Sequence, residues 1–120
     1  MPARYRPRRR RSAVWRIEWH DRVTSTMDLA AERAAVGEPA GLVVVAEEQT
    51  QGRGRHGRRW EAPHGTSLLF TVLCRPPLAL VQDERLSVRV AERVAAAIAR
   101  LTGLAATIKE PNDLLVHGRK

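Results

Sequence analysis

Nine consecutive residues, Gly52-Arg53-Gly54-Arg55-His56-Gly57-Arg58-Arg59-Trp60, hold most of the chemical information in this chain. They contain the spacing G-x-G-x-x-G, so a dinucleotide-binding turn has to be tested first. That turn must open a helix and be followed about 20 residues later by an acid. Here the segment runs into Trp60, Pro63 and Gly65, which start no helix, and no acid lies between Glu61 and Asp83. A phosphate-binding P-loop is excluded as well, because no Gly-Lys-Ser/Thr follows. What remains is a loop with four guanidinium groups on a glycine-rich backbone. Glycine lets a backbone approach a ligand closely. Arginine grips carboxylate and phosphate oxygens in a two-pronged fork. The loop therefore suits a polyanionic small molecule, or a reaction in which phosphate charge develops. Its like charges predict ordering on ligand binding. The competing reading is an arginine-glycine element that touches RNA without sequence preference.

Other polar residues stand at positions that admit a structural and a chemical role. Ser25, followed three residues later by Asp28, has the spacing of a helix capping box. Asn112 and Asp113 follow Pro111 as a common turn signature. His20, His56, His64 and His117 show no metal-ligand spacing.

The elements that must hold these residues follow from periodicity. Residues 15–19 alternate apolar and charged side chains, which predicts a half-buried strand. Residues 27–36 form a helix with Leu29, Ala30 and Ala34 on one face, stopped at Gly37. Residues 42–46 and 67–74 are continuous apolar runs and read as buried strands. Asp83 is expected to cap a long helix whose core-facing stripe is Leu86, Val90, Val94, Ala97, Ile98 and Leu101, closed by Gly103. Strands at 105–109 and 114–116 follow, joined by a turn over 110–113, and His117-Gly118 turns the last one. The order β-α-β-loop-β-α-β-β includes links too short for a parallel crossover, which needs a dozen or more residues. The class is α+β with a mixed or antiparallel sheet and two main helices. The strand expected to return from Gly118 is missing, so the chain reads as a fragment.

Bulk properties bound the function. Of 21 basic residues, six arginines lie in the first eleven positions, which leaves 15 bases against 13 acids elsewhere. The net charge of +8 is thus mostly a property of the tail, residues 1–14, read as disordered. Residues 15–120 form the folded domain. Cys74 is the single cysteine, so no disulfide closes within the chain and no cysteine cluster holds zinc. No apolar run approaches the roughly 20 residues of a membrane helix. A cytoplasmic location is expected.

The string GRGRHGRRW resembles the biotin-binding loop of biotin protein ligases. Ser25-Thr26 sits where that family has a Ser-Thr pair opening its first helix. Lys109-Glu110-Pro111-Asn112-Asp113-Leu114 is similar to its Lys-Trp-Pro-Asn-Asp segment, and Lys120 falls at its active-site lysine. The resemblance covers residues 17–120. It implies an incomplete catalytic domain of class II aminoacyl-tRNA-synthetase-like fold. It also implies ATP-dependent activation of biotin to biotinyl-5'-AMP and transfer to a lysine of a biotin carboxyl carrier protein, of the acetyl-CoA or pyruvate carboxylase type. Mg²⁺ would accompany ATP. By the same resemblance, Ser25, Thr26, Gln49, Gly52, Arg53, Arg55 and Lys120 belong to the biotin site, with Arg53 and Arg55 holding the carboxylate and phosphate region. Arg58, Asn112 and Asp113 lie with ATP, Asp113 doubling as a Mg²⁺ contact. Trp60 packs on adenine, and Arg55 and Lys120 serve the chemistry. Glu110 departs from the family's tryptophan, Met27 from its usual asparagine, and nothing follows Lys120. No repressor function is expected, because no helix-turn-helix precedes the domain. The rival class is a basic nucleic-acid-binding module built from the tail and the loop, with steeply salt-dependent affinity.

Overall fold

The computed structural model describes residues 15–120. The expected basic tail, residues 1–14, lies outside the described residues. The elements run β1 (Arg16–Val23), α1 (Thr26–Ala35), β2 (Leu42–Gln49), a 3-10 turn (Arg55–Gly57), β3 (Leu69–Val72), α2 (Leu78–Val81), α3 (Leu86–Thr102), β4 (Thr107–Lys109) and β5 (Asp113–Leu115). They divide into two compact units, one ending at Arg75 and one spanning Pro76–Lys120.

In the first unit the strand order is β1-β2-β3. β1 runs parallel to β2, from Arg16 beside Leu42 to Val23 beside Gln49. α1 supplies the crossover that a parallel pair requires. β2 and β3 are antiparallel, with Val43 beside Val72 and Ala46 beside Leu69. The sheet is mixed, as the short links demanded. α1 packs on β2 and β3, and Ala30, Leu42 and Val44 form the buried core, with Leu29 and Leu73 against it. Complete burial of Val44 stabilises the fold by about 1.5–3 kcal/mol. Arg75 closes the far end of α1 by donating to the carbonyls of Ala34 at 3.0 Å and Glu38 at 2.8 Å, which answers orphan acceptors at a helix C-terminus.

β1 keeps the expected alternation but turns it over. Arg16, Glu18 and His20 are its more covered side chains, whereas Trp15, Ile17 and Trp19 are about half exposed. The charges tolerate this because they are paired: Arg33 of α1 donates to Glu18 at 2.6 Å and Arg16 to Glu38 at 3.2 Å. β3 is shorter than the apolar run 67–74, and Phe70 remains 47% exposed because alternate strand positions face opposite sides.

In the second unit α3 ends at Gly103, whose φ of 75° lies in the left-handed region that glycine adopts without strain. Asp83 does not cap α3: the N-cap position is Arg85, and Asp83 instead accepts from the Arg85 amide at 2.8 Å, two residues on. The covered line of α3 is Val88, Ala91, Ala95 and Ile98, while Val90, Val94 and Leu101 of the expected stripe are exposed. Within its unit α3 packs on β4 and β5. A helix of 17 residues is about 25 Å long, and strands of three residues span only about 10 Å, so the hairpin leaves much of the stripe uncovered. β4 and β5 pair antiparallel around Ile108 and Leu114. His117 and Gly118, both at positive φ, turn the chain so that Val116 bridges Arg119.

Candidate functional site

The site of the first unit is assembled where α1 begins. Ser25 is the N-cap, extended at φ −157° and ψ 142°, and its Oγ accepts from the Met27 amide at 3.2 Å. The capping box is half formed: Asp28 does not reach back to the Ser25 amide. Its Oδ2 accepts from Thr24 Oγ1 at 2.9 Å, and its Oδ1 from Arg53 Nη2 at 2.7 Å.

The first amides of a helix have no partner inside it. The Thr26 N–H finds one across the sheet, donating to Gln49 Oε1 at 2.8 Å from the end of β2. Thr26 Oγ1 donates to the same oxygen at 3.1 Å and lies 2.8 Å from Thr71 Oγ1 of β3. Ser25 and Thr26 are 1% and 3% exposed. A buried polar cluster survives only when its members satisfy one another, and here a helix start and two strands provide the partners.

The glycine-arginine loop is fastened to this cluster. Thr50 donates to the Val23 carbonyl at 2.9 Å and Gln51 to the Thr24 carbonyl at 2.7 Å. The loop then folds on itself: Trp60 donates to the Gly52 carbonyl at 2.8 Å, Gly54 to the Arg58 carbonyl at 2.6 Å, and Arg53 bridges Arg59. Gly52 is buried, and a Cβ there would collide with the Trp60 carbonyl and press on the Gln49 amide. The like charges are thus not left to open the loop. Its own backbone bonds close it, and Asp28 balances one arginine. The hydrogen bond from Arg53, and after it the one from Thr24, hold the Asp28 carboxyl below its ordinary range. The same bond to Asp28 raises Arg53.

These parts line an open cavity of about 260 Å³. Ser25, Thr26, Gln49 and Thr71 make its polar floor, and Arg53 stands at its charged side. Met27, Trp60, Leu68 and Phe70 supply apolar wall. Of the residues singled out in the sequence, Ser25, Thr26, Gln49, Arg53 and Trp60 line this one space, and Gly52 packs against Gln49 and Trp60. Arg55 and Arg58 do not line it and are exposed on the loop. Asn112, Asp113 and Lys120 belong to the second unit, where Lys120 Nζ lies 3.0 Å from Asp113 Oδ1 and Asn112 is exposed. Among the described residues no group of three or more His, Cys, Asp or Glu side chains could hold a metal ion. None of the described helices is long and apolar enough to cross a membrane.

Sequence reasoning missed Asp28 as the partner of Arg53, and Thr71 altogether. Thr71 had a faint signal: it is the one hydroxyl inside the apolar run 68–74. Asp28 had none, because 25 residues separate it from Arg53.

Comparison with known proteins points in one direction. The sequence model of the biotin/lipoate A/B protein ligase family matches residues 19–120. The chain is 36% identical over 102 residues to the bifunctional ligase/repressor BirA of Bacillus subtilis, covering 85% of this chain and 31% of that protein. It is 35% identical over 101 residues to the biotin–[acetyl-CoA-carboxylase] ligase of Mycobacterium tuberculosis, covering 81% and 38%. Among solved structures it is similar to the biotin protein ligase from Aquifex aeolicus in complex with biotin and ATP, with a TM-score of 0.67 and 29% identity over 82% of this chain and 40% of that one. The chain therefore spans roughly a third of the length of these curated relatives.

Proposed function

The chain belongs to the biotin/lipoate A/B protein ligase family, and from that premise we propose that it acts as a biotin protein ligase. In the first step a biotin carboxylate oxygen attacks the α-phosphorus of ATP. The bond to the β-phosphate breaks and pyrophosphate leaves, giving biotinyl-5'-AMP. In the second, the ε-amine of a lysine on a biotin carboxyl carrier protein attacks the acyl carbon. The amide forms, AMP leaves, and the amine proton passes to solvent.

The observation that carries this reading is the division of the cavity into a bonded polar floor, apolar wall and a single guanidinium. Biotin has the matching parts: an uncharged ureido head, an apolar ring and chain, and a carboxylate. The volume of about 260 Å³ is just below the roughly 300–1,000 Å³ of ordinary small-molecule sites. The floor also separates biotin from lipoate within the family. A dithiolane offers no hydrogen bonds and would leave Thr26 and Gln49 unsatisfied toward the ligand, an expensive outcome in a buried site.

Arg53 is assigned to the carboxylate, and Arg55 and Lys120 to the charge that develops on the reacting carboxylate and phosphate. Arg58, Asn112 and Asp113 are assigned to the nucleotide and Trp60 to the adenine ring. Mg²⁺ would neutralise the phosphates. Asp113 suits such an ion as a single protein ligand, because Lys120 engages one of its oxygens and Mg²⁺ commonly takes one or two carboxylates beside substrate phosphates.

The test is biotin-dependent release of pyrophosphate from ATP, together with calorimetric binding of biotin and lipoic acid. Biotin is expected to bind roughly a hundredfold or more tighter than lipoic acid, as sites built around hydrogen bonds discriminate. No pyrophosphate release and equal affinity for the two acids would sink the proposal.

A further inference from the structure

We infer that Thr71 is a specificity-determining residue: it fixes the direction of the hydrogen bonds on the cavity floor, so that Thr26 faces the ligand only as an acceptor and Gln49 only as a donor. The inference rests on the biotin-ligase reading and deepens it.

The direction follows from one atom. A backbone N–H can only donate, so the Gln49 atom that faces the Thr26 amide at 2.8 Å must be the oxygen Oε1. That choice settles which end of the carboxamide is which, and it leaves Nε2 as the free end. Among the described residues Nε2 makes no hydrogen bond. Oε1 also lies 3.1 Å from Thr26 Oγ1. An amide oxygen can only accept, so the Thr26 hydroxyl must spend its single proton there. The remaining contact, Thr26 Oγ1 to Thr71 Oγ1 at 2.8 Å, then has one solution: Thr71 donates. The reverse arrangement, with Thr26 donating to Thr71, would set the lone pairs of Thr26 against those of Gln49 Oε1 and satisfy one contact fewer. In a low-dielectric interior such a chain strengthens itself along its length.

The consequence lies in what the floor offers. With its proton spent on Gln49 and one lone pair filled by Thr71, Thr26 Oγ1 retains one lone pair and no hydrogen. Gln49 Nε2 retains two hydrogens and no lone pair. The complementary head group presents an N–H toward Thr26 and a carbonyl oxygen toward Gln49, adjacent to one another, as a cyclic urea does. Thr71 donates to no ligand atom in this scheme. It acts through Thr26, as a positioning residue.

The experiment compares the wild type with Thr71→Val, which keeps the shape and removes the donor, and Thr71→Ser, which restores it. Ligands are biotin and its two cyclic-carbamate analogues, each with one ureido N–H replaced by oxygen. Thr71→Val is expected to raise the Kd for biotin about tenfold, the scale of one buried hydrogen bond. It should also shrink the preference for biotin over the analogue that lacks the N–H facing Thr26, and Thr71→Ser should recover both. Equal weakening of biotin and both analogues would make Thr71 merely structural and overturn the inference. A second measurement needs no ligand. In the NMR spectrum of the free protein the Thr26 hydroxyl proton should show an NOE to the Gln49 side chain, and an NOE to the Thr71 methyl instead would overturn the assigned direction. Failure of the wild type to take up biotin would overturn the proposed function and the substrate named here, while the NOE would still decide the direction of the network.

Discussion

The floor of the cavity and the tip of the glycine-arginine loop belong to the same unit and are opposite in construction. On the floor, Ser25 and Thr26 are buried, and Thr26, Gln49 and Thr71 hold one another through bonds that begin at a backbone amide. At the tip, Arg55 and Arg58 are exposed and, among the described residues, their side chains have no hydrogen-bond or ion-pair partner. Arg53 marks the border: it belongs to the loop, lines the cavity and is held by Asp28. The contrast separates two tasks. Under the proposed ligase reading, an uncharged head group would be recognised by donors and acceptors fixed before it arrives. Under the same reading, phosphate charge that develops during reaction would be met by guanidinium groups that have made no other commitment.

The most damaging way to break this contrast is Gly52→Val. Its side chain would meet the Trp60 carbonyl and the Gln49 amide together, disturbing floor and loop at once. A cost of about 1–3 kcal/mol in stability is expected from the overpacking, with biotin binding lost by calorimetry. Next, Arg53→Ala and Arg55→Ala should diverge. Removal of a charge-assisted hydrogen bond worth about 1.5–3 kcal/mol is expected to weaken biotin binding ten- to a hundredfold for Arg53→Ala. Arg55→Ala should leave the affinity for biotin alone near wild type and instead speed escape of the adenylate, read by trapping the intermediate. Equal loss of biotin affinity in both variants would erase the border drawn at Arg53.

Acid should loosen the loop from the same border. The Asp28 carboxyl is held below its ordinary value of 3.8, first by the Arg53 hydrogen bond. Its contribution is therefore present above that value and lost as pH falls through the folded one. Amide exchange within residues 53–59 should accelerate there, and Asp28→Asn should remove the pH dependence. The smallest effect is expected at His64, whose ring nitrogen lies 3.0 Å from Asp21 Oδ1. This bond raises the His64 pKa above its ordinary 6.5. Its contribution is complete below 6.5 and fades as pH rises through the folded value. The pair is exposed, so the effect should be visible in the titration of the ring by NMR and absent from a thermal melt.

The same distinction governs what could be read without coordinates. The α+β class followed from periodicity and link lengths, and the loop announced itself through Gly52, Gly54 and Arg53. Those signals are local. The facing of β1 was not legible, because covered Glu18 is paired with Arg33, which stands on another element. The α3 stripe misled for a related reason: its helical period identifies an apolar side, and the short β4–β5 hairpin covers only part of it. Asp28 had an adequate local explanation as a helix-capping acid, and that explanation concealed its bond to Arg53.

From the sequence alone came the presence of a cationic glycine loop, a Ser-Thr helix start and an amide at Gln49, together with the kind of ligand such groups suit. Spacing along the chain fixes which groups exist and which secondary element each occupies. Only the tertiary structure decided that Thr71 completes the floor and that Asp28 holds Arg53. Hydrogen-bond direction and ion pairing depend on distances across strands and between elements. In this chain those distances are set by the register of β1, β2 and β3 and by the point at which α1 begins.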